Sequence, residues 1–144
     1  MIKKQETFID SEQLINKKWI LIDANERTLG RLATEISFLL MGKNEKNYTT
    51  FLKNGNYVIV KNAEKIKLTG KKTILKSYRQ HSGRPGGMKI RKFSNLINER
   101  PEFIIEKAVK GMLPKGPRGR KLYKNLKVYK GEIHPHTAQQ PELI

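Results

Sequence analysis

Apolar positions fall into a few short runs with different periods, and these predict the elements of the chain. Trp19-Ile20-Leu21-Ile22 is continuous and short, which predicts a strand buried on both faces and favours a parallel sheet. Leu29, Leu32, Ala33, Ile36, Leu39 and Leu40 then recur at helical spacing, so a helix runs to about Met41. Thr28 is its expected N-cap and Gly42 its expected stop. After a polar loop over residues 44–56, with Tyr48 and Phe51 covering the core edge, Tyr57-Val58-Ile59-Val60 predicts a second strand. A short turn at Asn62–Lys65 leads to Ile66 and Leu68, read as a third strand ending at Thr69-Gly70.

Further on, Ser94 is placed to cap a short helix over Leu96 and Ile97. Pro101 suits a first helical position, with Glu102 in the favourable first turn. Ile104, Ala108 and Met112, widened by Ile105 and Val109, give that helix its apolar stripe. Pro114, Gly116, Pro117 and Gly119 predict a rigid turn, and Leu126 to Tyr129 a last strand. Strand and helix alternate as in an α/β fold. The expected division is an N-terminal arm over 1–18, with a short turn or helix at Ser11–Ile15, one α/β domain over 19–131, and an extended C-terminal tail over 132–144.

Charge changes the picture from a generic α/β domain to a polyanion binder. With 30 basic against 13 acidic residues the formal charge is +17, and self-repulsion of that size opposes compactness unless a polyanion neutralises it. Two stretches concentrate it. Lys65 to Lys92 holds ten Lys and Arg and no acid, and Lys107 to Gly131 holds nine and no acid. Both contain apolar residues and turns, so the charge sits on ordered backbone, which suits a fixed array of phosphates. A membrane surface is disfavoured, because no run approaches the roughly 18 apolar residues of a spanning helix. Without cysteine, thiolate metal sites, disulfides and cysteine nucleophiles are excluded. The first ten residues lack a signal-peptide core, and their acids argue against a transit peptide, so the protein is expected to work where it is made.

Candidate chemistry is sparse. His81-Ser82-Gly83-Arg84-Pro85-Gly86-Gly87 resembles a phosphate cradle, yet no Gly-Lys-Ser/Thr follows, and Gly30 stands alone where a dinucleotide fingerprint needs three glycines. An RNA-contacting loop is favoured over a small-nucleotide site. His81 has no acid near it in sequence to orient the ring, so a turn or RNA role is favoured over a catalytic base. His134 and His136 make a weak metal motif without a third ligand, and Asp23 is read as a turn cap rather than an enzyme's acid. The tyrosines show no stacking platform and are read mostly as core-edge packing.

Specific blocks now tie the chain to a family. Val109-Lys110-Gly111-Met112-Leu113-Pro114, continued by Lys115-Gly116-Pro117-Arg118-Gly119-Arg120 and by Leu126-Lys127-Val128-Tyr129-Lys130-Gly131, closely resembles the thirteenth protein of the bacterial-type large ribosomal subunit. Trp19–Ala24, Thr28–Glu35, His81-Ser82-Gly83, Gly86-Gly87 and Ala138–Pro141 extend the likeness to nearly the whole chain. The resemblance implies a three-layer α/β/α fold around a four-stranded parallel sheet. It implies a structural protein that binds large-subunit ribosomal RNA early in assembly, beside neighbouring ribosomal proteins, with no catalysis, cofactor, metal or small-molecule substrate.

On that reading the RNA-binding residues are Lys71, Lys72, Lys76, Arg79, His81, Arg84, Lys89, Arg91 and Lys92 on one surface. On the other they are Lys110, Lys115, Arg118, Arg120, Lys121, Lys124 and Lys127. The rivals are a basic RNA-modifying or nucleotide-dependent enzyme and a free-standing RNA chaperone. The Gly-Arg-Pro-Gly-Gly-Met loop resembles cyanobacterial and plastid members, and the Lys-, Asn- and Ile-rich composition favours a ribosome of the plastid stroma over one of the bacterial cytoplasm.

Overall fold

The computed structural model describes residues 17–144, so the expected arm and the turn or helix at Ser11–Ile15 lie outside it but for Lys17 and Lys18. The chain runs β1 (Trp19–Asp23), α1 (Leu29–Met41), β2 (Tyr57–Lys61), a 3-10 turn (Ala63–Lys65), α2 (Lys72–Leu75), β3 (Ser77–His81) and β4 (Met88–Lys92). It continues through α3 (Phe93–Glu99), α4 (Pro101–Met112), α5 (Pro117–Tyr123), β5 (Leu126–Val128), a 3-10 turn (Thr137–Gln139) and β6 (Glu142–Leu143). The four-stranded sheet has the order β5-β2-β1-β6 and every pair in it is parallel. The class is α/β in three layers, and β3 and β4 form a separate antiparallel hairpin.

One continuous core lies where α1 and α4 meet the sheet. Ile20 and Ile22 of β1 and Val58 and Val60 of β2 point into it, against Leu32, Ile36 and Leu40 of α1 and Ile104, Ile105 and Val109 of α4. Those α4 positions follow the helical period of the sequence, which is why one face is buried and the basic positions Lys107 and Lys110 are left outside. Gly42 ends α1 in the left-handed conformation at φ 74°, a backbone state open to glycine at little cost. Its N–H donates to Leu39 O at 3.1 Å and the next N–H to Phe38 O at 3.2 Å, satisfying carbonyls the helix end leaves free.

Several expectations are corrected. Among the described strands β2 is buried on both faces, whereas β1 alternates: Ile20 and Ile22 face the core under α1 and α4, while Trp19, Leu21 and Asp23 on the other face are half-buried. Ile66 and Leu68 form no strand. They pack on the core while Lys67 runs beside the start of α1, its C=O accepting from Leu29 N–H at 3.0 Å and its N–H donating to Arg27 O at 3.0 Å. That carbonyl satisfies the first N–H of α1, while the Thr28 side chain makes no cap hydrogen bond. The fourth strand comes instead from the extended tail. α3 begins at Phe93 with Lys92 at its cap position, and Ser94 bonds only to Asn95. Phe51 is exposed, and the last strand stops at Val128.

Aromatic groups gather on the sheet's other face. Trp19 stacks on Tyr57 with centroids 4.4 Å apart, and the His136 ring lies 5.3 Å from Trp19. His136 Nε2 also lies 2.8 Å from the Tyr129 hydroxyl, so this histidine pins the tail. Asp23 caps its turn as read: its Oδ1 accepts from Asn25 N–H and from Asn62 Nδ2, both at 2.9 Å, and Lys61 Nζ lies 3.5 Å from Oδ2. Burial pulls its carboxyl upward, but those two hydrogen bonds and the Lys61 ammonium outweigh burial and hold it below the usual range.

Candidate nucleic-acid interface

The first basic surface is the β3–β4 hairpin. Strand pairing runs from Ser77↔Lys92 to His81↔Met88, and the glycine-rich loop closes it through Ser82 N–H to Gly87 O at 3.1 Å. His81 Nδ1 accepts from Gly83 N–H at 3.0 Å, which shapes the turn. Phe93 N–H donates to Lys76 O at 2.9 Å and ties the hairpin base to α3. Lys71, Lys72, Arg79, His81, Arg84, Lys89, Arg91 and Lys92 are exposed and Lys76 is half-buried. Backbone pairing of β3 with β4, rather than burial, holds Arg79, His81, Lys89, Arg91 and Lys92 in place, while Lys71 and Lys72 stand at the start of α2.

The second surface is α4's outer face with α5, where the sequence predicted only a turn. Pro117 at the first position of α5 follows Gly116, whose φ of 106° suits glycine. Gly119 is buried where α5 doubles back: a Cβ there would strike the Pro114 carbonyl oxygen. Lys110, Lys115, Arg120, Lys121 and Lys124 are exposed, while Lys127 is half-buried on β5. The Lys110 ammonium lies 5.7 Å from the centre of the Tyr123 ring.

Arg118 differs from its neighbours. Its guanidinium donates through Nη1 to Thr50 O and through Nη2 to Thr49 O, the latter at 3.3 Å, tying α5 to the 44–56 loop. Replacing Arg118 by alanine should cost about 1 kcal/mol and speed amide exchange over residues 44–56, while Arg120→Ala and Lys121→Ala leave that exchange unchanged. Equal exchange in all three variants would contradict the bridging role.

Two residues outside the sequence-derived set join the surfaces. Arg100 and Lys107 of the α4 region face the hairpin across a cleft of about 530 Å³, lined also by Lys76, Tyr78, Arg79, Lys89, Arg91 and Phe103. Lys107 lies three residues before Lys110 on α4, so the helical period would have placed it on the same face, whereas Arg100 precedes the helix and is brought in by the fold. None of the candidate residues, nor Arg100 or Lys107, forms an ion pair among the described residues; the four pairs present involve Arg27, Lys61 and Lys67. The positive field is thus not cancelled locally.

Burial keeps the phenols on these surfaces neutral. Burial, with Glu106 adding to it, pushes Tyr123 up to about 12, and burial raises Tyr78 as well. A raised folded-state value means the Tyr123 contribution to stability is complete below about pH 10 and is lost as pH climbs toward 12. Ultraviolet titration should show a last tyrosinate phase that disappears in Tyr123→Phe. A last phase that survives the substitution would contradict the placement.

Comparison with known proteins agrees with the blocks quoted above. The family model described as ribosomal protein L13 matches residues 17–135. The large ribosomal subunit protein uL13 of Prochlorococcus marinus strain MIT 9301 is 56% identical over 96% of this chain and 97% of its own length. Its counterpart from Acaryochloris marina strain MBIC 11017 is 53% identical over 97% of this chain and 93% of its own length, and that of Synechococcus sp. strain CC9311 is 52% identical over 96% and 93%. The chain belongs to the ribosomal protein L13 family.

Proposed function

We propose that the chain is a structural constituent of the large ribosomal subunit, binding large-subunit ribosomal RNA through its two basic surfaces and supporting early subunit assembly. The observation that carries this is the pairing of two facts. Relatives more than half identical are named large ribosomal subunit protein uL13, and exposed cations without ion-pair partners among the described residues are spread over ordered backbone. The set from Lys71 to Lys92 and the set from Lys110 to Lys127, apart from the loop-bound Arg118, are the contacts to phosphate. Arginine bridges phosphates bidentately and lysine supplies less directional charge. Recognition is by RNA shape and backbone more than by base sequence.

Residues 19–131 act as the RNA-binding domain, and the 132–144 tail folds back along β1. The role is binding without catalysis. No helix among the described residues is long and apolar enough to cross a membrane. The form of the hairpin loop and the Lys-, Asn- and Ile-rich composition favour a plastid-stromal ribosome over one of the bacterial cytoplasm, and the cyanobacterial relatives fit both. The test is gradient sedimentation of the tagged chain from cells that express it. It should travel with the large subunit and resist a moderate salt wash; a chain that stays in the light fractions overturns the proposal.

A further inference from the structure

Within that reading, the cleft between the hairpin and α4 has a more particular chemistry than the basic surface around it. Most of the candidate cations stand on open surface. Here cations ring an aromatic wall. Tyr78 and Phe103 meet edge to face, with centroids 6.0 Å apart and planes at 68°. Arg79 and Arg91 enter from the hairpin, Arg100 and Lys107 from the opposite side. Phe103 is 37% exposed although apolar, so part of its ring is left uncovered among these cations. Lys76 lies 5.4 Å from the Tyr78 ring centre and already uses one aromatic group. The Tyr78 hydroxyl is buried and takes no hydrogen-bond partner from the described residues.

We propose that this cleft receives one unstacked nucleotide of the bound RNA, its base against the Phe103 ring and its flanking phosphates on the arginines. The cleft volume of about 530 Å³ lies in the range of small-molecule sites. Aromatic faces bind unpaired bases with little sequence preference, and arginine beside them engages both phosphate and ring. A duplex keeps its bases stacked and cannot offer this group, whereas a bulged strand can. The cleft therefore adds discrimination between RNA structures to an interface otherwise dominated by charge. This inference rests on the RNA-binding function proposed above.

The test uses the full chain and three short RNA duplexes: one fully paired, one with a single bulged 2-aminopurine, and one with an abasic residue at the bulge. The aminopurine bulge should bind about ten-fold tighter than the abasic one, with its fluorescence changed on binding. Phe103→Ala and Phe103→Leu should each remove that difference while leaving affinity for the paired duplex unchanged. The leucine variant keeps apolar bulk and removes only the aromatic face, and thermal unfolding checks that both variants fold. Equal binding of the two bulges, or full discrimination in Phe103→Leu, overturns the cleft assignment and leaves the RNA-binding function standing. Failure to bind any of the three RNAs removes both. Displacement of the bulge by micromolar AMP with the duplex still bound assigns the cleft to a soluble nucleotide and overturns the proposal.

Discussion

Replacing Lys89, Arg91, Lys110 and Arg120 together by glutamine should weaken RNA binding about a thousand-fold at 0.1 M salt, while the isolated chain stays folded. All four are exposed, and none is ion-paired to a described residue, so their removal takes little from the core. Each phosphate neutralised contributes roughly 0.7–0.9 to the slope of log affinity against log salt. Four lost contacts should flatten that slope by about 3, and lines that converge near 1 M salt then lie about three decades apart at 0.1 M. The effect is divided between the surfaces: two residues sit on β4 and two on the α4–α5 face. Reverting either pair should restore about half of the slope. A variant that keeps the original slope would place the phosphates on another part of the molecule.

Gly119→Ala should be the most damaging single methyl group on the basic side of the fold. The added carbon has no room, because its contact is the Pro114 backbone oxygen rather than a side chain that can rotate away. Either the turn before α5 opens or the helix slides. Both disturb buried Leu122 and Leu113, which tie this region into the core. Overpacking of this kind costs on the order of 3 kcal/mol, or roughly 10 °C in melting temperature for a domain of this size. The loss should be accompanied by weaker RNA binding, since Arg120, Lys121 and Lys124 ride on the displaced segment. Gly111→Ala is the control: a Cβ there meets nothing within 4 Å, so it should change stability little. Equal melting temperatures for the two variants would contradict the packing described for Gly119.

The two regions differ in how far their structure was legible beforehand. The central elements could be read because period and burial agreed: Leu29 to Leu40 and Ile104 to Val109 are helical stripes on a buried face, and Tyr57 to Val60 is a strand buried on both sides. Ile66 and Leu68 misled because alternation records which side chains are buried, not whether the backbone pairs in a sheet. Their backbone instead serves the start of α1. β6 was not identifiable as a strand since two exposed residues carry no period, and its pairing with Ile20 and Leu21 is a long-range contact. α5 was misread for a local reason. Pro117 and Gly119 look like breakers, yet proline at a first helical position starts a helix, and Gly119 is required by a close approach visible only in three dimensions.

The basic set was legible as charge, not as geometry. Composition marks Lys71 to Lys92 and Lys110 to Lys127 as cationic, but it cannot separate Arg118, which the protein uses for its own loop, from Arg120, which is exposed. Nor can it bring Arg100 and Lys107 opposite the hairpin, because that juxtaposition depends on how α4 packs.

The most direct measurement is protein–RNA cross-linking in purified large subunits that contain this chain, with the attached peptides mapped by mass spectrometry. Cross-links should fall on the β3–β4 hairpin and on residues 107–124, and they should be sparse over the 132–141 segment whose His136 packs against Trp19. Cross-links confined to the tail side, with the hairpin and α5 lysines fully open to a water-soluble acylating reagent in the same particles, would contradict the account.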